Sequence, residues 1–176
     1  MKHPIWKKMV ERVNLTFSSF FSDNIVAIPV PHRAQDFDTH AILFKGGNNN
    51  TLFLPDHDTW EKTLDFVGYD NPREWFSSLD ASIILLDGTF WDSNELKGRV
   101  QSNVPHPPVS ETLDLIGRRE EGDPRIIFIH LNHTNPLHYT GSEEYQKLSE
   151  LGWEVGKEGM ESVSYTHLRA HETRHY

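Results

Sequence analysis

Apolar residues fall into two patterns along this chain, and the first indicates β-strands. Short apolar segments, rich in β-branched residues and bounded by turn residues, are typical of strands. They lie at residues 24–30, 40–45, 51–55, 81–87 and 125–130, with a further extended segment at 153–155. ASIILLD and RIIFIH are apolar almost throughout, which predicts strands buried on both faces.

The second pattern repeats with helical spacing. It predicts helices near residues 5–13, 60–67, 109–116 and 140–151. Thr140 and Glu143 have the spacing of a capping box at the start of the last helix, and Gly152 ends it. Strands that alternate with helices predict a layered α/β architecture in which helices cover the sheet.

Composition narrows the class of protein. The 176 residues suit one domain, and the formal charge of −9 argues against general nucleic-acid binding, which needs clustered Lys and Arg. No apolar run approaches the roughly 18 residues needed to cross a bilayer. The absence of cysteine excludes disulfides and thiolate metal sites, and it fits a reducing compartment such as the cytoplasm.

Polar residues gather directly after the predicted strands. LFLP is followed by Asp56, His57 and Asp58, SIILL by Asp87, and RIIFI by His130. Ligands of α/β proteins collect beyond the carboxyl ends of strands, where loops and helix starts converge. Carboxylates and imidazoles in this place are candidate metal ligands or an acid–base pair.

Each candidate also has a purely structural interpretation. An Asp before a helix commonly caps it, and Asp87 before Gly88 suits an ordinary turn. His130 at a strand end fits a hydrogen-bonded core histidine, and His106 fits a loop between prolines. Asx-type turns are expected in any fold from Asn132, Thr134 and Asn135. From the pattern alone, both interpretations stay open.

Several segments, taken in order, resemble a known family. They are LLDGTFWDSNE, HPPVSETLDL and FIHLNHTNPL, together with VPHR, LFLPDHD and GWEVGKEGM. The series resembles the pyrroloquinoline-quinone biosynthesis protein B family of the metallo-β-lactamase superfamily, from about residue 26 to residue 160. The resemblance implies an αββα sandwich, of which this chain would form the second half.

The resemblance also implies a reaction. Superfamily members hold one or two metal ions, usually zinc, and a metal-bound hydroxide attacks an ester, phosphodiester or related substrate. Asp56 resembles the carboxylate that bridges two metals, with Asp58 as the reserve candidate. His130 resembles the late histidine ligand, with His133 in reserve.

A second branch of the superfamily, ribonuclease Z, resembles this chain at two further residues. Asp87 and His106 match a carboxylate–histidine pair that moves a proton to the leaving group, although Asp replaces the Glu of that branch. His32 matches a histidine found in both branches and is expected to bind substrate. The expected partner is a small-molecule substrate, and a ribonuclease Z-like substrate is kept as an alternative.

The superfamily motif HxHxDH, which supplies most metal ligands, does not occur before Asp56. We therefore expect residues 1–161 to be an amino-terminally truncated domain that holds zinc poorly, is inactive alone and tends to associate. A non-catalytic binding protein that keeps the fold without metal is the alternative hypothesis. A small autonomous α/β module that uses Asp87 and His106 without metal is a third.

The carboxyl-terminal segment raises a separate question. His167, His171 and His175 are spaced four apart, as in a metal clip on a helix. However, residues 162–176 resemble a translated sequencing adapter and follow the last segment that matches the family. We expect them to be a non-native tail without function.

Overall fold

The computed structural model describes residues 24–32, 39–46, 49–95 and 106–161. The helix predicted at 5–13 and the histidine-rich segment 162–176 lie outside these residues. Within them, no helix combines the length and the apolar character that crossing a membrane requires.

Six strands form one mixed sheet, in agreement with the predicted α/β class. They are β1 (Ile25–Pro29), β2 (His40–Lys45), β3 (Asn50–Leu54), β4 (Ala81–Asp87), β5 (Arg125–Ile129) and β6 (Glu154–Val155). Their order in the sheet follows the sequence. The pairs β1–β2 and β2–β3 are antiparallel, whereas β3–β4, β4–β5 and β5–β6 are parallel.

Four α-helices connect the strands among the described residues. They are α1 (Trp60–Val67), α2 (Pro72–Ser78), α3 (Val109–Ile116) and α4 (Glu143–Glu150). Helix α2 was not predicted because its seven residues are too few to show a clear helical period. Its start nevertheless carries a signal, since the Asn71 side chain caps the Glu74 amide and Pro72 is the first helical residue.

The predicted capping box of α4 is wrong. Ser142, not Thr140, is the N-cap residue, and its hydroxyl accepts a hydrogen bond from the amide of Tyr145. Glu143 is therefore the first helical residue and not the third. The predicted end is correct, because Gly152 adopts the left-handed conformation (φ 89°) directly after the helix.

Most of the core lies on one face of the sheet, although Ile83 and Ile127 are buried on the other face. Alternate strand residues point toward the helices, and they are fully buried against Trp60, Trp75 and Phe76. The buried strand residues include Leu52, Leu54, Ile84, Leu86, Ile126 and Phe128. Because side chains alternate along a strand, Phe53 and Leu85 point to the opposite face, where they are only half-buried. The described helices thus cover one face only.

The parallel strands determine where the polar residues meet. The carboxyl ends of β3, β4 and β5 lie side by side, because Leu54 pairs with Leu86 and Asp87 pairs with Ile129. Asp56 follows β3 by two residues, Asp87 is the last residue of β4, and His130 follows β5 directly. Residues far apart in the sequence are therefore delivered to one edge.

Candidate functional site

Asp87 and His106 form a hydrogen-bonded pair. Nδ1 of His106 lies 2.8 Å from Oδ2 of Asp87, which has no solvent exposure. Burial by itself would raise the pKa of Asp87, but the hydrogen bond from His106, the charges of His57 and His106 and the hydrogen bond from Thr89 together lower it. The carboxylate is thus ionised and orients the imidazole of His106, an arrangement that suits proton transfer.

The turn interpretation of Asp87 also holds. Its other oxygen, Oδ1, accepts a hydrogen bond of 3.0 Å from the amide of Thr89, which is the geometry of an Asx turn. One carboxylate therefore shapes the loop after β4 with one oxygen and orients His106 with the other. The turn interpretation thus applies to Oδ1 and the acid–base interpretation to Oδ2, so both hold for Asp87.

Sequence reasoning missed Thr89. Its buried hydroxyl lies 2.7 Å from Oδ1 of Asp87, 3.0 Å from Nδ1 of His130 and 3.2 Å from Nδ1 of His106. The available signal was its position two residues after a strand-end carboxylate, in the segment DGTFW. From the sequence alone, a threonine at this position looks like an ordinary loop residue. Its role in the site is visible only from its contacts in the structure.

His130 lies at the open side of this cluster. It is an exposed residue and adopts a positive φ of 61°, which is rare for a residue other than glycine. Strained backbone of this kind is concentrated at functional sites. Ligand atoms of Asp87, His106 and His130 all lie within 4.8 Å of one another and could hold a metal ion. The interpretation of His130 as a core histidine does not fit its exposure.

His32 and Asp56 form a second group beside the first. Nδ1 of His32 lies 3.2 Å from Oδ1 of Asp56, and Nδ1 of His106 lies 3.4 Å from the same oxygen. Oδ1 of Asp56 and Nδ1 of His32 are buried, and neither has a well-aligned hydrogen-bond partner among the described residues. Their separation of 3.2 Å nevertheless makes them a close histidine–carboxylate contact.

This donor set fits zinc. Tetrahedral zinc with bonds of about 2.0–2.2 Å to imidazole nitrogen and carboxylate oxygen places neighbouring ligand atoms roughly 3.3–3.5 Å apart. The separation from Oδ1 of Asp56 to Nδ1 of His32 is 3.2 Å, close to this range. Two buried, unpartnered ligand atoms at this spacing are what a metal ion would satisfy. His32, expected from the sequence to bind substrate, has the position of a candidate metal ligand.

His57 is buried behind the site. Burial lowers its pKa from 6.5 to about 4, so the ring is neutral at physiological pH. Nδ1 lies 2.9 Å from the hydroxyl of Thr63, and the ring packs edge-on against Trp60. Nε2 is buried and has no hydrogen-bond partner among the described residues. Its contacts with Thr63 and Trp60 are those of a packed core residue, whereas the hydrogen-bonding capacity of Nε2 is unused among the described residues.

The two reserve ligands have other environments. Asp58 accepts a hydrogen bond from the amide of Thr59 and binds Lys62 at 2.9 Å, so both of its oxygens serve the start of α1. Burial opposes ionisation of Asp58, but the contacts with Lys62 and Thr59 lower its pKa overall. His133 is exposed, and its Nδ1 lies beside the side-chain oxygen of Asn132. Neither residue shares the contacts of Asp56 or His130.

The loops that carry the cluster are fixed by buried Asn135. Its side-chain amide donates to the carbonyl of Gly88 at 2.7 Å, and its oxygen accepts from the amide of Leu137. The second contact is the Asx-type turn expected from the sequence. The first connects the loop after β5 to the loop after β4, and so holds Thr89 close to His130.

Known proteins are similar to this chain. Coenzyme PQQ synthesis protein B of Cupriavidus necator is 29% identical over 145 residues, which cover 78% of this chain and 48% of that protein. The protein of the same name from Pseudomonas syringae pv. syringae is 30% identical over 159 residues, covering 84% of this chain and 48% of that protein. No family model matches. The chain spans about half the length of the curated relatives it matches.

A solved structure has the same fold. It is the crystal structure of Zn²⁺-bound PqqB from Methylobacterium extorquens, with a TM-score of 0.52 and 19% sequence identity. The similarity covers 79% of this chain and 47% of that one. The fold is therefore of the metallo-β-lactamase type, as expected from the sequence.

Proposed function

Because this chain resembles coenzyme PQQ synthesis protein B and has the metallo-β-lactamase fold, we propose that it carries part of the active site of a metal-dependent hydrolase. The proposed substrate is a small molecule with an ester or phosphodiester bond. The observation that carries the proposal is the contact between His32 and Asp56, whose facing atoms Nδ1 and Oδ1 are buried without an aligned hydrogen bond among the described residues, directly beside the Asp87–His106 pair.

The proposed metal is zinc. Zn²⁺ is bound in the Methylobacterium extorquens structure, and the imidazole and carboxylate atoms of this chain have the chemistry to hold it. His32, Asp56 and His130 are the proposed ligands. Asp87 and His106 also lie close to His130, but they are hydrogen-bonded to each other and are assigned to proton transfer instead. When bound, zinc supplies a Lewis acid that polarises the electrophile and makes water a stronger acid.

The proposed role of His106 is proton transfer. Its Nδ1 is held by Asp87, so its other nitrogen, Nε2, can take a proton from the attacking water and return it to the leaving group. The ionised Asp87 stabilises the imidazolium that exists between these two transfers. The pairing is favourable because Asp87 is fully buried, where its charge is screened little by water.

The proposed ligand set is smaller than that of the superfamily, because the sequence lacks an HxHxDH motif. A tight site generally uses three or four protein ligands, and two metal sites would require more. We therefore expect the 176-residue chain to bind zinc weakly, to hold at most one ion and to have no more than residual hydrolytic activity by itself.

Zinc titration tests the proposed ligands. The purified chain is titrated with zinc against a chromogenic chelator, beside His32→Ala, Asp56→Ala and His130→Ala. Each variant is expected to lower the affinity at least tenfold, whereas His133→Ala, the matched exposed control, leaves it unchanged. An affinity that is insensitive to Asp56 and His130 would contradict the proposal. A folded chain that binds no zinc would favour the non-catalytic binding protein.

A second experiment tests the proposed proton transfer. Asp87→Asn keeps the size of the side chain but removes the charge that stabilises protonated His106. We expect the zinc-dependent hydrolysis of a chromogenic phosphodiester or ester to fall about 10²–10⁴-fold, which is the range for lost acid–base catalysis. The zinc affinity should change much less than the rate. An unchanged rate at unchanged zinc occupancy would exclude the role proposed for the pair.

A further inference from the structure

The hydroxyl of Thr89 is surrounded by three polar side chains but carries a single proton. Asp87, His130 and His106 lie 2.7, 3.0 and 3.2 Å from it. A hydroxyl can donate one hydrogen bond and accept two. The direction of each hydrogen bond can therefore be worked out from the partners.

Asp87 determines the direction of the first bond. Oδ1 of Asp87 already accepts a hydrogen bond from the amide of Thr89, so it acts as an acceptor and the Thr89 hydroxyl donates to it. The oxygen of Thr89 is left with its lone pairs and can only accept from the two histidines.

The Nδ1 atoms of His106 and His130 have different hydrogen-bond acceptors. Nδ1 of His106 is closer to Oδ2 of Asp87, at 2.8 Å, than to the hydroxyl of Thr89, and its proton lies toward Asp87. Nδ1 of His130 is 3.0 Å from the Thr89 oxygen, an acceptor. His130 must then carry its proton on Nδ1, which leaves Nε2 with a free lone pair.

We propose that Thr89 is a positioning residue that connects Asp87 to His130 and fixes the Nδ1–H tautomer of His130, so that Nε2 is free to bind a metal ion. The proposal rests on the function proposed above, in which His130 is a ligand. It also assigns Asp87 a different task from direct metal binding, because one of its oxygens serves His106 and the other serves Thr89.

The burial of Thr89 favours this role. Only 7% of the residue is exposed, so water competes little for its hydroxyl. Hydrogen bonds from a metal-binding histidine to a carboxylate or other acceptor fix the ring orientation and raise its basicity, and their loss commonly lowers metal affinity about 10–100-fold. Here the acceptor is the Thr89 hydroxyl, which is itself hydrogen-bonded to the buried carboxylate of Asp87. Asp87 thereby influences His130 as well as His106.

The test uses the full chain with ¹⁵N-labelled histidine. Long-range ¹H–¹⁵N spectra of the metal-free protein identify which nitrogen of His130 is protonated, and a His130→Asn spectrum assigns its signals. We expect Nδ1–H in the wild type and in Thr89→Ser, which keeps the hydroxyl. In Thr89→Val, which has nearly the same shape but no hydroxyl, we expect a mixture or the Nε2–H form.

Zinc competition gives the second readout. Thr89→Val should bind zinc about 10–100-fold more weakly than the wild type, and Thr89→Ser should restore most of the affinity. Thr112→Val is the matched control, because Thr112 is also buried and hydrogen-bonded but contacts Trp60 and Pro108. Thr112→Val should lower the free energy of unfolding without changing the tautomer of His130 or the zinc affinity.

The outcomes separate the two proposals. Wild-type His130 protonated on Nε2, or a tautomer unchanged in Thr89→Val, would overturn the role of Thr89. A wild type that binds no zinc but keeps the expected tautomers would overturn the proposed function and leave the role of Thr89 supported. If Thr89→Val does not fold, Thr89→Ala, which also lacks the hydroxyl, takes its place in the same comparison with the wild type and Thr89→Ser.

Discussion

Gly88 lies where the backbones of two strand ends come into contact. Its amide donates a hydrogen bond of 2.8 Å to the carbonyl of Ile129. A Cβ atom at this position would lie 2.9 Å from that same carbonyl oxygen and 3.1 Å from Cβ of Phe128. Glycine is required here for close approach and not for an unusual backbone angle. The contact holds Asp87 and Thr89 beside His130.

A substitution at Gly88 should therefore separate the two loops. We predict that Gly88→Ala lowers the free energy of unfolding by about 1–3 kcal/mol, because the added methyl group must displace rigid backbone. Chemical denaturation measures the change. Gly141→Ala is the matched control, since a Cβ there meets no atom within 4 Å. Equal stabilities for the two variants would show that the contact at Gly88 is not tight.

His130 shows a second way in which single residues define this site. Its backbone has a positive φ directly after β5, and its Nδ1 contacts the hydroxyl of Thr89. Metal binding by His130 would therefore depend on the side chain that orients its ring, Thr89, as well as on the imidazole itself.

Among the elements, β6 is the least supported strand. It has two residues and pairs with β5 at the edge of the sheet. Arg125 of β5 binds Glu154 of β6 through two hydrogen bonds, of 2.9 and 2.8 Å. Such bidentate pairs are the stronger kind of ion pair, although this one is about one-third exposed and partly screened by solvent. It stabilises the edge of the sheet next to β5, the strand that His130 follows.

The ion pair predicts a pH dependence. Hydrogen bonds from Arg125 lower the pKa of Glu154 below its ordinary value of 4.5. A carboxyl whose pKa is lower in the folded state stabilises the fold above the unfolded pKa, and this contribution disappears as the pH falls through the folded pKa. Glu154→Gln should thus be less stable than the wild type at pH 7, and the difference should shrink below pH 4.5.

Thermal melts of both proteins from pH 7 to pH 3 measure this difference. Glu121→Gln, at an exposed position in a turn, serves as the matched control and should follow the wild type throughout. A gap between wild type and Glu154→Gln that stays constant with pH would mean that the charge of Glu154 contributes nothing.

For the whole molecule, the main feature is a sheet with unequal faces. One face packs against the four described helices, whereas the other carries apolar residues that the described part of the chain covers incompletely. Phe44 is 43% exposed on this face, and Ile42, Phe53 and Leu85 beside it are half-buried. A contiguous apolar surface of this kind favours association.

We therefore predict that the chain self-associates through this face. Phe44→Glu should shift sedimentation velocity profiles toward the monomer, because a charge on the face must be desolvated when two copies meet. Leu115→Glu is the control, since Leu115 is equally exposed, at 42%, but lies on α3. A shift that is the same for both variants, or present only for Leu115→Glu, would contradict the prediction.

Much of the fold was predictable from local patterns. The five longer strands and three of the described helices follow from apolar periodicity and from turn residues such as Gly68, because strand and helix periods are local properties. Helix α2 and the capping residue of α4 were not predicted correctly. Both depend on a few residues at a helix start, where several polar side chains compete for the same backbone amides.

The sequence by itself determined the α/β class, the strand ends at which chemistry could occur and the candidates Asp56, Asp87 and His130, because strand ends are marked by a change from apolar to polar residues. Only the tertiary structure decided how these residues combine. The parallel register of β3, β4 and β5 brings them to one edge, and packing there makes Thr89 a partner of two histidines. Hydrogen bonds between residues distant in sequence depend on three-dimensional proximity, which no local pattern records.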